Sequence, residues 1–165
     1  MNVAEDEQNT VVVDEELATE QYLTFIMNNE EYGVDILAVQ EIRAWDNATM
    51  IPNSPAYIKG VINLRGTIVP IIDLRGRFNV ENLEYGAATV VVVLKVKTEK
   101  GERTMGIIVD AISDVYDVPL DSIRTSNIGE HQNSSFIKGL VTVKKNMVIL
   151  LELTTLLTLE SQGGI

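Results

Sequence analysis

The chain has 165 residues, of which 45% are hydrophobic and 22% are charged, a composition typical of a globular protein. It contains no cysteine and a single histidine, His131, which excludes disulfides, cysteine-based zinc sites and paired-histidine metal sites. No apolar run is long enough to cross a membrane, and no basic face is present for nucleic acid. We therefore expect a cytoplasmic protein with no metal or cofactor, no nucleic-acid partner and no direct membrane insertion.

The formal net charge of −11 is concentrated at the start of the chain. Residues 1–20 contain seven acidic residues and no basic one, whereas the remainder has 17 acidic and 13 basic residues and a net charge of only −4. Acid-rich segments of this kind are typical of solvated, disordered leaders. We predict that residues 1–20 are disordered and that the ordered domain begins near Gln21.

Short β-strands are predicted throughout the first half of the chain, residues 21–78, because apolar and polar residues alternate there. The predicted strands cover residues 22–27, 31–34 and 41–45 and the two arms of a hairpin within 58–74. Asp35 is placed to cap a short helical turn between the second and third strands. The hairpin turns at Arg65-Gly66, where glycine provides the conformational freedom that a tight turn needs.

The second half, residues 79–159, predicts the same kind of structure. Its strands cover residues 88–97, 102–109 and 112–118 and a hairpin within 136–153. Leucines at helical spacing predict a short closing helix over residues 154–159, and residues 160–165 form a tail. Residues 120–133 are the least regular part of this half.

Two stretches of the sequence occur twice. Residues 58–74 match residues 137–153 without a gap at an offset of 79, and residues 33–42 match residues 106–115 at an offset of 73. This pattern indicates an internal duplication. Each half supplies about five short strands, the number at which a small sheet closes on itself. We predict an all-β fold of two five-stranded barrels, one from each half, with a short C-terminal helix.

Signatures of catalysis are missing from the sequence. No glycine-rich phosphate loop follows a strand, and no strained turn presents Ser134 or Ser135 as a nucleophile beside His131. We predict no catalytic residue, and therefore a non-enzymatic module that binds another protein. Two alternatives remain open: a scaffold that binds extended peptides by strand addition, and a small hydrolase that uses a carboxylate pair.

Four motifs, in this order along the chain, resemble the CheW-type chemotaxis coupling proteins. They lie at residues 31–36, 39–43, 58–66 and 68–74, and the resemblance extends over about residues 21–159. It implies two SH3-like β-barrels within one integrated domain. It also implies an adaptor that joins the cytoplasmic tips of methyl-accepting chemoreceptors to the regulatory domain of a chemotaxis histidine kinase.

The resemblance also implies particular site residues. Family positions linked to receptor binding or kinase control fall on Val39, Glu41, Gly60, Arg65 and Gly66. We expect a receptor's helical tip to lay an apolar stripe in a groove between the barrels, while a separate barrel end holds the kinase domain.

The duplication supplies a second criterion for these residues, because a position kept in both copies is needed by a barrel. Gly60 is equivalent to Gly139, so a close approach inside a sheet explains it as well as a receptor contact does. Glu41 and Arg65 are equivalent to acidic and basic residues, Asp114 and Lys144. If these residues lie on neighbouring strands, each copy holds one acid–base pair.

Overall fold

The computed structural model describes residues 18–45, 58–77, 85–125 and 136–155. Within these ranges the chain forms ten β-strands, a short α-helix, two 3-10 turns and the first residues of a further helix at 153–155. The strands are β1 (Thr19–Met27), β2 (Glu30–Asp35), β3 (Val39–Ala44), β4 (Ile58–Leu64), β5 (Thr67–Asp73), β6 (Val90–Thr98), β7 (Gly101–Val109), β8 (Ala111–Pro119), β9 (Ile137–Val143) and β10 (Asn146–Leu151). The helix is α1 (Leu74–Arg77), and the 3-10 turns are Ile36–Ala38 and Leu120–Ser122.

The strands form two five-stranded sheets. The first has the order β3-β6-β7-β5-β4 and is called barrel 1; the second has the order β8-β1-β2-β10-β9 and is called barrel 2. Each barrel therefore combines strands from both halves of the chain. The predicted division into residues 21–78 and 79–159 is wrong in this respect. The β1–β2 hairpin of the first half joins β8, β9 and β10 of the second half, and the β6–β7 hairpin of the second half joins β3, β4 and β5 of the first.

The two barrels are built on the same register, which confirms the duplication. Gly33 on β2 lies opposite Leu150 on β10, and Gly106 on β7 lies opposite Ile71 on β5. The glycines are 73 residues apart and their partners are 79 apart, as in the sequence match. A Cβ atom at Gly33 would lie 3.0 Å from Leu150 Cδ2, and one at Gly106 would lie 2.5 Å from Ile71 Cδ1. Both glycines therefore allow two parallel strands to pack closely.

The apolar core of the described residues has three parts. A cluster of buried residues inside barrel 2 contains Tyr22, Val118, Val141, Val148 and Leu150. The corresponding cluster inside barrel 1 contains Val69, Ile71, Val91, Val93 and Ile108. The largest cluster draws on both sheets, including Phe25 on β1 and Ile107 on β7, and therefore fills the space between the barrels. Strands such as β1 and β7 are buried on both faces because they separate an interior cluster from this shared core.

The ends of the ordered domain differ in part from the prediction. Strand β1 begins at Thr19, so the assignment of residues 1–20 to a disordered leader is wrong at its last two positions. Glu20 accepts a hydrogen bond from the Tyr22 hydroxyl at 2.9 Å and lies 3.4 Å from Lys138 Nζ. Residues 153–155 are helical, at the start of the predicted closing segment. Residues 1–17 of the leader, most of that closing helix, the C-terminal tail and His131 lie outside the described residues.

A buried ionic cluster joins the two barrels. Arg75 on α1 donates hydrogen bonds to Asp73, at 2.8 Å, and to Asp110, at 2.7 Å. Asp110 lies between β7 of barrel 1 and β8 of barrel 2, and it accepts the Asn28 N–H of the β1–β2 turn at 2.9 Å. The hydroxyl of Tyr85 donates to Asp73 at 3.1 Å. The cluster therefore links the end of β5 to the β1–β2 hairpin of the other barrel.

The electrostatics of this cluster keep Arg75 charged and Tyr85 neutral at neutral pH. The hydrogen bond to Asp73 raises the pKa of the Arg75 guanidinium above its already high ordinary value, despite the opposing effect of burial. Burial, together with the charge of Asp73, raises the pKa of Tyr85 to about 12. Arg75 is therefore a cation and Tyr85 a hydrogen-bond donor at neutral pH, and both stabilise the buried carboxylate.

No helix among the described residues is long and apolar enough to cross a membrane.

Candidate functional site

Three of the predicted site residues meet at one end of barrel 1. Arg65 and Gly66 form the turn between β4 and β5, with φ angles of 51° and 88°. The side chain of Asn63 accepts the Gly66 N–H at 2.8 Å, which fixes the turn. A Cβ atom at Gly66 would meet no atom within 4 Å, so glycine is favoured here by the positive φ and not by lack of space.

An ion pair connects this turn to β3. Arg65 Nη2 lies 3.1 Å from Glu41 Oε1, and the second carboxylate oxygen of Glu41 lies 3.5 Å from Arg43 Nε. Strands β3 and β4 are the two edges of the barrel 1 sheet, so the pair spans the line where the barrel closes. The Arg65 side chain is 80% exposed. Since an exposed ion pair contributes only about 0–1 kcal/mol, the pair orients Arg65 more than it stabilises the fold.

The other two predicted residues lie apart from the turn. Val39 begins β3 and packs, partly buried, against the shared core between the barrels. A register shift separates it from Glu41 on the same strand. Gly60 is buried at a φ of 134° beside a second register shift, so any influence of Gly60 on a partner is indirect. The conformation explains this glycine without a contact.

Exposed apolar side chains near the turn were missed by the sequence prediction. Ile42 and Ile68 are 44% and 61% exposed; Ile42 lies between Glu41 and Arg43 in the sequence of β3, and Ile68 lies two residues after Gly66 on β5. Their equivalents Val115 and Met147 are 43% and 59% exposed on barrel 2. The offsets of 73 and 79 residues relate these pairs, so the duplication could have indicated that each barrel exposes two apolar residues.

Leu37 is the most exposed large apolar residue of the described chain, at 86%. It lies in the 3-10 turn through which the chain passes from β2 of barrel 2 to β3 of barrel 1. Asp35 Oδ1 accepts the Leu37 N–H at 2.9 Å, which confirms the predicted cap. An apolar residue is therefore held at the surface where the two barrels join.

The second hairpin turn is built like the first but presents different chemistry. Lys144 and Lys145 occupy its two central positions, with φ angles of 49° and 72°. Lys144 Nζ lies 5.5 Å from the centre of the Tyr116 ring, and Asp114 Oδ1 accepts the Val115 N–H at 2.8 Å. No ion pair joins Asp114 to Lys144, both of which the structure describes, so the prediction of an acid–base pair in each copy is confirmed only for barrel 1.

None of the described ranges contains a group of three or more histidine, aspartate or glutamate side chains arranged to hold a metal ion.

The fold and the surface together define a paired-barrel module with two similar ends. Comparison with known proteins gives its family: the CheW-like domain model matches residues 21–161, and the chain belongs to this family. The chain is 43% identical over 149 residues to the chemotaxis protein CheW of Klebsiella aerogenes, covering 90% of this chain and 87% of that protein. It is 37% identical over 137 residues to a probable chemotaxis protein CheW of Rhizobium etli, covering 82% and 86%.

A solved structure has the same fold. The crystal structure of the scaffolding protein TtCheW from Thermoanaerobacter tengcongensis matches with a TM-score of 0.75 and 29% sequence identity. The match covers 84% of this chain and 88% of that protein. The two five-stranded sheets are thus the two SH3-like barrels that the sequence predicts.

Proposed function

We propose that the protein is a non-enzymatic, cytoplasmic adaptor that couples chemoreceptors to a histidine kinase in bacterial chemotaxis. Membership of the CheW-like family supports this role. The observation that carries it is the exposed Arg65 guanidinium, held by Glu41 at the end of barrel 1. Partners are the cytoplasmic tips of methyl-accepting chemoreceptors and the regulatory domain of the kinase, and nucleic acid is not among them.

The receptor docks where the barrels join. Leu37 is exposed at this junction, and Val39 lies two residues further along the chain. A helical receptor tip presents apolar residues along one face, and such a face buries itself against exposed apolar groups. Leu37→Ser should therefore weaken receptor binding without loss of stability, because the leucine is already mostly in water.

The kinase regulatory domain docks on the end of barrel 1. Glu41, Arg65 and Gly66 form its polar centre, and Ile42 and Ile68 provide adjoining apolar area. Arginine with neighbouring apolar groups is a common composition for the energetic centre of a protein interface. Two separate surfaces allow receptor and kinase to bind at once, and the receptor then biases the kinase through contacts that differ between its active and inactive states.

Titration calorimetry with a receptor cytoplasmic fragment and with the kinase regulatory domain tests the proposal. We expect both to bind without competition. Arg65→Glu should weaken the kinase complex at least about tenfold, which corresponds to about 1.4 kcal/mol. Lys145→Glu is a matched charge reversal, since Lys145 is exposed in the equivalent hairpin turn of barrel 2 and belongs to neither proposed surface; it should bind like the wild type.

Circular dichroism of each variant separates binding from folding. Arg65→Glu should retain the β-sheet signal of the wild type. If that variant loses its folded signal, Arg65 is a structural residue. If the folded wild-type protein binds neither partner, the coupling proposal is wrong.

A further inference from the structure

The equivalent hairpin turns of the two barrels differ in one side-chain hydrogen bond. In barrel 1 the Asn63 side chain on β4 accepts the Gly66 N–H at 2.8 Å. The equivalent of Asn63 in barrel 2, 79 positions further along the chain, is Thr142. Its side chain makes no hydrogen bond to the turn at Lys144 and Lys145, both of which the structure describes. Of these two turns, the one that presents an arginine is therefore the one held by a side chain.

This hydrogen bond is not needed to form the turn. The central residues of the barrel 2 turn, Lys144 and Lys145, have φ angles of 49° and 72° without it. Such angles are unfavourable for residues other than glycine, and barrel 2 adopts them nevertheless. In barrel 1 Arg65 has a similar φ of 51°, and Gly66 adopts its positive φ without steric cost. The bond from Asn63 therefore leaves room for a role beyond forming the turn.

The orientation of the turn determines what the Arg65 side chain can reach. Arg65 Nη2 lies 3.1 Å from Glu41 Oε1 on the other edge of the sheet, and Glu41 is its one partner among the described residues. The Arg65 side chain is otherwise in water, so its own packing does little to hold it there. A long exposed side chain loses conformational entropy when it is held in one geometry, and a mobile backbone at its base would increase that loss. A rigid turn therefore favours the ion pair.

Asn63 suits this role by its position and its chemistry. It lies one residue before the end of β4 and directly opposite Ile68 on β5. Asparagine side chains commonly hydrogen-bond to the backbone a few residues away, and threonine side chains do so more weakly. Asn63 and Thr142 are both exposed, so either residue type fits this place without a change in the core. The choice of residue therefore affects the turn and not the packing.

We propose that Asn63 is a positioning residue: its hydrogen bond to the turn keeps Arg65 paired with Glu41, and it acts on a partner only through Arg65. The second part rests on the function proposed above, in which this end of barrel 1 binds the kinase regulatory domain. Asn63→Thr places the residue of barrel 2 in barrel 1. Because threonine is favoured in strands and the position is exposed, this variant should retain the β-sheet signal of the wild type.

NMR of the free, full-length protein tests the first part. The Gly66 N–H should exchange with solvent about 2- to 10-fold faster in Asn63→Thr, as expected for the loss of one hydrogen bond. Relaxation of the Arg65 Nε–H group should show a more mobile side chain. Arg75 Nε, which donates to Asp73 at 3.0 Å, is the rigid reference. Asn63→Asp keeps an acceptor oxygen and should return both signals towards their wild-type values.

Titration calorimetry with the kinase regulatory domain tests the second part. Asn63→Thr should weaken the complex about 2- to 10-fold, and Asn63→Asp should recover most of the affinity. A variant with both Asn63→Thr and Arg65→Met should bind like Arg65→Met alone, because a residue that acts through Arg65 has no effect once the arginine is absent. Thr142→Asn exchanges the same residue types at the equivalent position of barrel 2 and should bind like the wild type.

The proposal is overturned if Asn63→Thr leaves Gly66 exchange or Arg65 mobility at the wild-type value, or if Asn63→Asp restores neither. It is also overturned if the double variant binds the kinase domain more weakly than Arg65→Met, since Asn63 would then contact the partner itself. If Asn63→Thr fails to fold, Asn63→Ala removes the acceptor in its place. Failure of the folded wild type to bind the kinase domain contradicts the coupling proposal, whereas the NMR of the free protein still decides whether Asn63 positions Arg65.

Discussion

Replacing Arg75 by methionine tests the buried ionic cluster that joins the barrels. Arg75 is 5% exposed, and its guanidinium neutralises Asp73, which is 0% exposed. Removing one partner of a buried ion pair costs about 3–5 kcal/mol, because the other charge stays buried. Asp73 keeps two donors in the variant, the residue 75 backbone N–H and the Tyr85 hydroxyl. The side chain of Asp110 is 32% exposed and can regain water.

Because of these remaining contacts, we expect Arg75→Met to lose about 3 kcal/mol of unfolding free energy, the lower end of that range. For a domain of this size, each kcal/mol lowers the unfolding temperature by about 2–4 °C, so Arg75→Met should unfold about 6–12 °C below the wild type. Arg65→Met is the matched control. Its partner Glu41 is partly solvated and its own side chain is 80% exposed, so the expected loss is about 0–1 kcal/mol.

Thermal unfolding of both variants can be followed by fluorescence. Trp45 is the single tryptophan of the chain, and its ring centre lies 5.2 Å from that of Tyr85, next to the cluster. The emission of Trp45 therefore reports on the environment of Arg75. If Arg75→Met lowers the unfolding temperature no more than Arg65→Met does, the buried cluster does not hold the barrels together and the reasoning is wrong.

Two further predictions concern packing and pH. A Cβ at Gly106 would lie 2.5 Å from Ile71 Cδ1 and 2.8 Å from Val91 Cγ1, so Gly106→Ala should lose about 1–3 kcal/mol in chemical denaturation. In Gly33→Ala the nearest atom to the new Cβ is 3.0 Å away, and the gain of about 0.4–1 kcal/mol from a stiffer unfolded chain offsets this milder overlap. Equal denaturation midpoints for Gly106→Ala and Gly33→Ala would contradict this difference. Burial raises the pKa of Tyr85 to about 12, so its contribution to stability is complete below about pH 10 and is lost as the pH approaches 12. The difference in unfolding temperature between wild type and Tyr85→Phe should therefore be constant up to about pH 10 and shrink above it, and a constant difference throughout would refute the assignment.

Local structure could be predicted because its causes are local. The alternation in residues 22–27 placed Leu23, Phe25 and Met27 on one face, and all three lie in the shared core. Asp35 caps the 3-10 turn, as its position before Ile36 indicated. The turn at Arg65-Gly66 follows from the glycine and from the apolar runs on either side. In each case the residues that determine the structure lie within a few positions of one another.

The exchange of strands between the barrels could not be predicted in this way. Alternation reports which face of a strand is buried and carries no information on which strand lies beside it. The partners of β2 and β5 lie far away in sequence, on β10 and β7. The sequence match between Gly33 and Gly106 indicated that both barrels use the same strand pairing at these glycines. Pairing of strands within each half would have produced the same match, so the match could not reveal the exchange.

The candidate site was predicted only where it resembles a known family. Arg65 and Glu41 came from that resemblance, and the structure brings them within 3.1 Å. The link between Arg75 and Asp110 joins residues 35 positions apart and has no equivalent in the other copy, where the corresponding residues are Thr154 and Leu37.

The differences between the two copies carry the argument about function. Both hairpin turns have positive φ angles at their two central residues, so the backbone was kept after duplication. The side chains on that backbone have diverged: Arg65 pairs with Glu41 at one end, while Lys144 lies over the ring of Tyr116 at the other. If stability alone had shaped these ends, equal backbones would favour equal contacts. This difference in chemistry distinguishes the Arg65 end, which we propose as the kinase surface, from the Lys144 end, to which no partner is assigned.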